Sequence, residues 1–244
     1  MFLTIYTIYK DSLIFVRENP FVLLPYVLYD ILNFFVGKWV PGDLIYRGLY
    51  FVFMMLCFCL VETFMIVVVY KRETVIKSPE SIWQIFNKYY GQAILLFVYG
   101  GLIVFLLGFI PALFGIPFEG LLSDILIVLI FLGANQIGLR HSIFYDNHLV
   151  MGSIKAGLKD LLNNFFFYLP ILLFGVVILN IPSVISPSSW VIFPYLPIAE
   201  FYYSFQQGEV TWFRMLLNPI LSSVTSIALT YTFLLKNKKT KNAS

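Results

Sequence analysis

The sequence is poor in charge, cysteine and histidine. Of its 244 residues only 12% are charged, and it has two cysteines and two histidines. So sparse a charge gives no basic surface for nucleic acid, and no long polar block could form a separate soluble catalytic domain. Cys57 and Cys59 stand two residues apart in an apolar run. On a helix they would point in different directions, so we expect no disulfide and no metal site from them.

Apolar residues are abundant instead. They make up 60% of the chain, and the mean hydropathy is +0.86, which is more apolar surface than one soluble core can hide. This composition predicts an all-α, polytopic transmembrane helical bundle whose main partner is the lipid bilayer. The first residues lack a basic region and a small-residue cleavage site, so we expect the N-terminus to be retained.

Apolar runs predict about six spans arranged as three hairpins. The spans cover about 20–36, 48–70, 92–114, 121–143, 165–181 and 215–235. Of the 16 Lys and Arg residues, only Lys38, Arg47 and Arg214 fall in the segments that would then lie outside. Because Lys and Arg are retained on the cytoplasmic side, this bias predicts that both termini are cytoplasmic.

An amphipathic helix precedes each hairpin. In the third one Ile154, Leu158 and Leu161 recur at helical spacing, which is typical of a helix lying on a membrane surface. Shifting the second helix by seventy-two positions places Ser81 on Ser153. We therefore interpret residues 1–244 as one membrane domain with proposed repeats 1–72, 73–145 and 146–244.

Three carboxylates fall within predicted spans, where a charge costs several kcal/mol unless it is protonated, paired or facing water. They are Asp30, Glu62 and Asp124. Glu62 lies near mid-span, and its expected partners are Asn135, Gln136 or Arg140 in the fourth span. Two readings remain open for Glu62: a proton, cation or headgroup site, or a hydrogen bond between helices that fixes packing.

Small residues indicate close helix packing in the third and fourth spans. Gly101, Gly108 and Gly115 recur every seven residues, and Ala134 stands four residues before Gly138. A metal site at His141 and His148 would need further ligands. We therefore predict neither a metal nor a cofactor.

The stretches SIKAGLKDLLNN and SIWQIFNKYYGQ, each feeding a hydrophobic hairpin, resemble the glycerophosphoryl diester phosphodiesterase membrane domain, a family of prokaryotic polytopic membrane proteins. In that family catalysis belongs to a separate soluble domain. The resemblance therefore implies a membrane domain and carries over no catalytic residue.

A second resemblance involves Gly157, Phe167, Leu169 and Pro170, whose spacing is similar to the coupling loop of ABC importer permeases, although the acidic position of that loop falls on Met151. It implies an ATPase subunit as partner. Ser81, Ser153 and Gly157 are then the coupling or surface-helix candidates.

These observations favour a non-enzymatic integral membrane protein, a membrane component of transport or of envelope and lipid handling. The alternatives are a secondary transporter that uses Glu62 and a permease subunit of an ABC transporter. An enzyme would need paired acid and base groups, and the sequence offers only scattered ones. The resemblance to a prokaryotic family implies the plasma (inner) membrane of a prokaryote as the location of the protein.

Overall fold

The computed structural model describes residues 2–39, 44–73, 81–113, 129–146, 149–185 and 212–242. Every regular element in these ranges is a helix, so the predicted all-α class is confirmed. The helices are α1 (Phe2–Glu18), a 3-10 turn (Pro20–Leu23), α2 (Leu24–Trp39), α3 (Leu44–Glu73), α4 (Ile82–Leu113), a π-helix (Phe131–Ile137) that continues as α5 (Gly138–Tyr145), α6 (Val150–Asn163), α7 (Phe165–Ile185) and α8 (Trp212–Asn242).

The chain forms two compact units. The first comprises Met1–Val69 with Phe166–Ser244, and the second comprises Tyr70–Phe165. In the first unit α8 packs against α1 and α2. In the second, α6 packs against the π-helix and α5, and α4 packs against all three. The proposed three repeats have other boundaries and stay a prediction.

Two helix boundaries follow from local sequence signals. Asn19 and Pro20 end α1, because proline disfavours a helical residue before it. At the start of α4, the Ser81 backbone N–H donates to Gln84 Oε1 at 2.7 Å, and the Gln84 N–H donates to Ser81 Oγ at 3.2 Å. This reciprocal pair is a capping box, which satisfies two N–H groups that have no partner within the helix.

The second hairpin departs from the sequence interpretation. A surface helix ending near Gly91, followed by a separate span, was expected, yet α4 runs through Gly91 without interruption. A single glycine costs a helix only about 1 kcal/mol relative to alanine, so it does not by itself end one. In the third proposed repeat α6 and α7 are separate helices, because the Asn164 backbone leaves helical geometry with φ −123°.

The amphipathic helices turn their apolar faces toward the protein. In α1 the side chains of Ile5, Ile8 and Phe15 are buried. In α6 Ile154 and Leu161 are buried likewise. The faces expected to lie on lipid therefore stabilise each unit from within, and a different face of each helix is left exposed.

Two helical stretches, Gly48–Glu73 and Leu217–Lys236, are long and apolar enough to cross a membrane by length and composition. Pro20–Asn33 and Phe165–Gly175 are shorter apolar helices. The structure thus indicates membrane association at this coarser level.

Candidate functional site

Glu62 lies on α3 inside the first unit and is only 5% exposed. The Tyr26 hydroxyl donates to its Oε1 at 2.5 Å, and the Ser226 hydroxyl donates to its Oε2 at 3.0 Å. Hydrogen bonds to an ionised acceptor are roughly twice as strong as neutral ones, so two hydroxyl donors can hold a carboxylate away from water. Glu62 thereby joins α2, α3 and α8.

Tyr26 and Ser226 are partners of Glu62 that the sequence analysis did not name. Tyr26 is 36 residues before Glu62 and Ser226 is 164 residues after it. Neither carries a charge, so no pairing rule based on charge could have identified them. Of the other two predicted carboxylates, Asp30 is half-buried in α2, and Asp124 lies outside the described residues.

The second unit is organised around a close crossing of α6 with the π-helix. A Cβ atom built on Gly157 would lie 2.1 Å from the Gly133 carbonyl oxygen, 2.6 Å from the Gly138 nitrogen and 2.8 Å from the Gly138 Cα. All three atoms belong to the backbone and cannot rotate away. Only glycine therefore fits at position 157 of this crossing.

The π-helix brings Gly133 and Gly138 together against Gly157. In an α-helix residues five apart are about 140° apart around the axis. Here the Gly138 N–H donates to the Gly133 carbonyl five residues earlier, which is the π pattern, and both glycines meet Gly157. The predicted pair Ala134 and Gly138 assumed α-helical spacing and missed Gly133 for that reason.

Asn135 on the π-helix is 1% exposed, and neither its Oδ1 nor its Nδ2 has a hydrogen-bond partner among the described residues. Its amide lies against Gly100 of α4, where a Cβ would be 2.5 Å from Oδ1. Leaving a buried polar group unpaired costs about 1–3 kcal/mol. The neighbouring Gly101, which the heptad pattern selected, has no atom of the described residues within 4 Å of its Cβ position.

Gln136 and Arg140, each predicted as a possible partner of Glu62, are hydrogen-bonded to each other within the second unit. Arg140 is fully buried, and its Nη1 donates to the Gln136 backbone oxygen at 2.8 Å and to the Gln136 Oε1 at 2.9 Å. Residues four apart are neighbours on a helix, which explains this pairing. The guanidinium is thus held within the second unit.

Ser153 belongs to a buried polar cluster that joins three helices. Gln92 Nε2 of α4 is 3.0 Å from Ser142 Oγ of α5 and 3.3 Å from Ser153 Oγ of α6, and the two hydroxyls are 2.8 Å apart. Ser153 is therefore a packing residue here. Ser81, the other surface-helix candidate, is exposed and caps α4.

A histidine–carboxylate contact and a lysine–carboxylate ion pair lie beside this cluster. His141 Nε2 is 3.2 Å from Asp160 Oδ2, and Asn164 Nδ2 donates to Asp160 Oδ1 at 2.8 Å. Lys88 Nζ is 2.8 Å from Asp146 Oδ1. Partial burial raises the pKa of the Tyr145 phenol above its usual value, and the nearby negative charge of Asp160 adds to that shift.

The polar side chains described above are mostly hydrogen-bonded to one another between packed helices, as Glu62 is to Tyr26 and Ser226. Few of their donors and acceptors are therefore left to take part in chemistry. No group of three or more His, Cys, Asp and Glu residues that could hold a metal ion occurs in the described parts of the chain, and His148 lies outside them.

Comparisons with known protein families, with curated proteins and with solved structures found no match for this chain.

Proposed function

We propose that the protein is a non-enzymatic integral membrane protein of a prokaryotic inner membrane, acting as a membrane component of transport or of envelope and lipid handling. Its bundle crosses the bilayer about six times in three hairpins, with both termini in the cytoplasm. The bias of Lys and Arg toward the inner segments supports this orientation.

The observation that carries the membrane assignment is the outer surface of α3. Val52, Phe53, Leu56 and Leu60 of this helix are all exposed, at 55%, 44%, 38% and 42%. Each large apolar side chain left in water forgoes about 1.5–3 kcal/mol relative to burial. A helix that is apolar on both its packed and its outer faces suits lipid, where the outer face needs no protein partner.

A non-enzymatic role is supported by the way that the buried polar side chains are used. Gln92, Ser142 and Ser153 bond to one another, as do Asp160 and His141. Such pairs fix helix positions and leave few donors for a substrate. The resemblance to the glycerophosphoryl diester phosphodiesterase membrane domain points the same way.

Membrane integration is tested by alkaline carbonate extraction of membranes that contain the protein. We expect it to stay in the pellet, and release into the supernatant would contradict the proposal.

Orientation is tested with single cysteines at Gly42 and Lys77 and a membrane-impermeant maleimide on intact cells. Cysteine at position 42 should react and cysteine at position 77 should react only after lysis. The opposite pattern would overturn the topology.

A secondary transporter is the second candidate, because Glu62 is a buried carboxylate within an apolar helix. Intramembrane carboxylates commonly serve in proton relays. Infrared difference spectra of the protein in lipid, recorded between acidic and alkaline pH, test it. A carboxyl band that changes with pH in the wild type and is missing in Glu62→Gln would support proton exchange at Glu62. Identical spectra for the two proteins would leave Glu62 with a packing role.

The role within transport or lipid handling is tested by native mass spectrometry of the protein extracted with its surrounding lipid. A stoichiometric ATPase partner would favour a permease subunit. A specific retained lipid without a protein partner would favour lipid handling.

A further inference from the structure

The exposed face of α6 differs from the one that its sequence suggests. Because Ile154, Gly157 and Leu161 are buried, the helix presents Met151, Lys155, Lys159 and Leu162, which we call the outer face. Met151 is 62% exposed and Leu162 is 66% exposed. The outer face thus combines two large apolar side chains with two exposed lysines.

The outer face carries no acidic side chain. The one carboxylate of α6, Asp160, is 5% exposed and is turned inward toward His141 and Asn164. On the adjoining α5 the carboxylate that follows the helix, Asp146, is paired with Lys88. The sequence places Asp160 among the polar residues of α6, so only the structure reveals that the exposed charge of this helix is purely positive.

We propose that the outer face of α6 is a binding surface for the anionic headgroups of membrane lipids. This proposal rests on the membrane location proposed above. Met151 and Leu162 enter the boundary between headgroups and acyl chains, and the long stems of Lys155 and Lys159 carry their ammonium groups up to the phosphates. A lysine near the surface favours anionic lipid by about fivefold, since it contributes about 1 kcal/mol.

The experiment uses tryptophan fluorescence and brominated lipids, which quench a tryptophan that they touch. The full-length protein, with its four native tryptophans changed to phenylalanine, is reconstituted in equimolar phosphatidylglycerol and phosphatidylcholine, with bromines on one lipid or the other. Met151→Trp reports on the outer face. Val98→Trp, at a 59% exposed apolar position of α4, reports on integration into the bilayer.

We expect the tryptophan at position 151 to be quenched at least about twice as strongly by brominated phosphatidylglycerol as by brominated phosphatidylcholine. The tryptophan at position 98 should be quenched by both alike. Adding Lys155→Gln and Lys159→Gln should abolish the preference at position 151. Adding Lys10→Gln, which removes an exposed lysine of α1, should leave it unchanged.

The outcomes distinguish a wrong membrane location from a wrong headgroup-binding surface. If neither tryptophan is quenched, the membrane location itself is wrong. If position 98 is quenched and position 151 is not, the outer face contacts water and the headgroup proposal is wrong. Equal quenching of position 151 by both lipids, unaffected by the lysine changes, would also overturn it, because the contact would then be apolar without selecting a charge.

Discussion

Replacing Gly157 with alanine should destabilise the second unit strongly. The new methyl group would lie 2.1 Å from the Gly133 carbonyl oxygen, whereas ordinary contacts begin at 3.4 Å. Relief therefore requires a shift of about 1.3 Å at this crossing, the difference between those two distances. The obstacle is backbone on both sides, so no side chain can rotate to make room.

The expected size follows from two opposing effects. Overpacking of a well-packed contact costs about 1–3 kcal/mol, and three backbone clashes place this variant at the upper end. Alanine stabilises a helix by about 0.5–1 kcal/mol relative to glycine, which offsets part of that cost. The net loss is therefore about 2 kcal/mol, which corresponds to a fall in Tm of about 4–8 °C for a protein of this size.

The assay is thermal unfolding of the purified protein in detergent, with Gly101→Ala as the matched control. Gly101 lies in α4 of the same unit, and no atom in the part of the chain that the structure describes comes within 4 Å of its Cβ position. Its replacement should leave the Tm unchanged or raise it. If Gly157→Ala unfolded at the wild-type temperature, the close crossing would be refuted. If the Tm were unchanged but ATP hydrolysis were uncoupled from transport, the result would instead favour the coupling role of Gly157 in an ABC permease.

Other substitutions test the buried polar groups by the same unfolding assay. Asn135→Ala should keep the Tm or raise it, since it removes two buried polar atoms that have no partner among the described residues and cost about 1–3 kcal/mol; a clear fall in Tm would contradict this. Asp160→Ala should lower stability by about 1–3 kcal/mol because His141 loses its acceptor, and an unchanged Tm would contradict this. Gln92→Leu should cost a similar amount by breaking the bonds to Ser142 and Ser153, unlike the exposed control Gln84→Leu, which affects only a cap.

The helices themselves follow largely from the sequence. Proline at position 20 and the cap at Ser81 act within a few residues, so local rules place these boundaries. The positions of Gln136 and Arg140 on one face follow equally from helical spacing. The number of spans and their orientation stay predictions.

The site residues depend on contacts that the sequence does not encode locally. Tyr26 and Ser226 reach Glu62 across 36 and 164 positions, and an uncharged hydroxyl leaves no recognisable pattern. The inward turn of Asp160 depends on which face of α6 is buried. An amphipathic pattern predicts that one face is apolar, but it does not distinguish protein from lipid as the material that covers it.

The π-helix also has a consequence for insertions and deletions. Its bond from Gly138 to Gly133 spans one residue more than an α-helical turn. Deleting a single residue between these glycines would place them four residues apart, the spacing at which residues are neighbours on one face of an α-helix. The helix after the deletion would therefore keep nearly its original rotation about the axis, and His141 and Ser142 would still face Asp160 and Ser153. The identity of the two glycines is thus a stricter requirement than the number of residues between them.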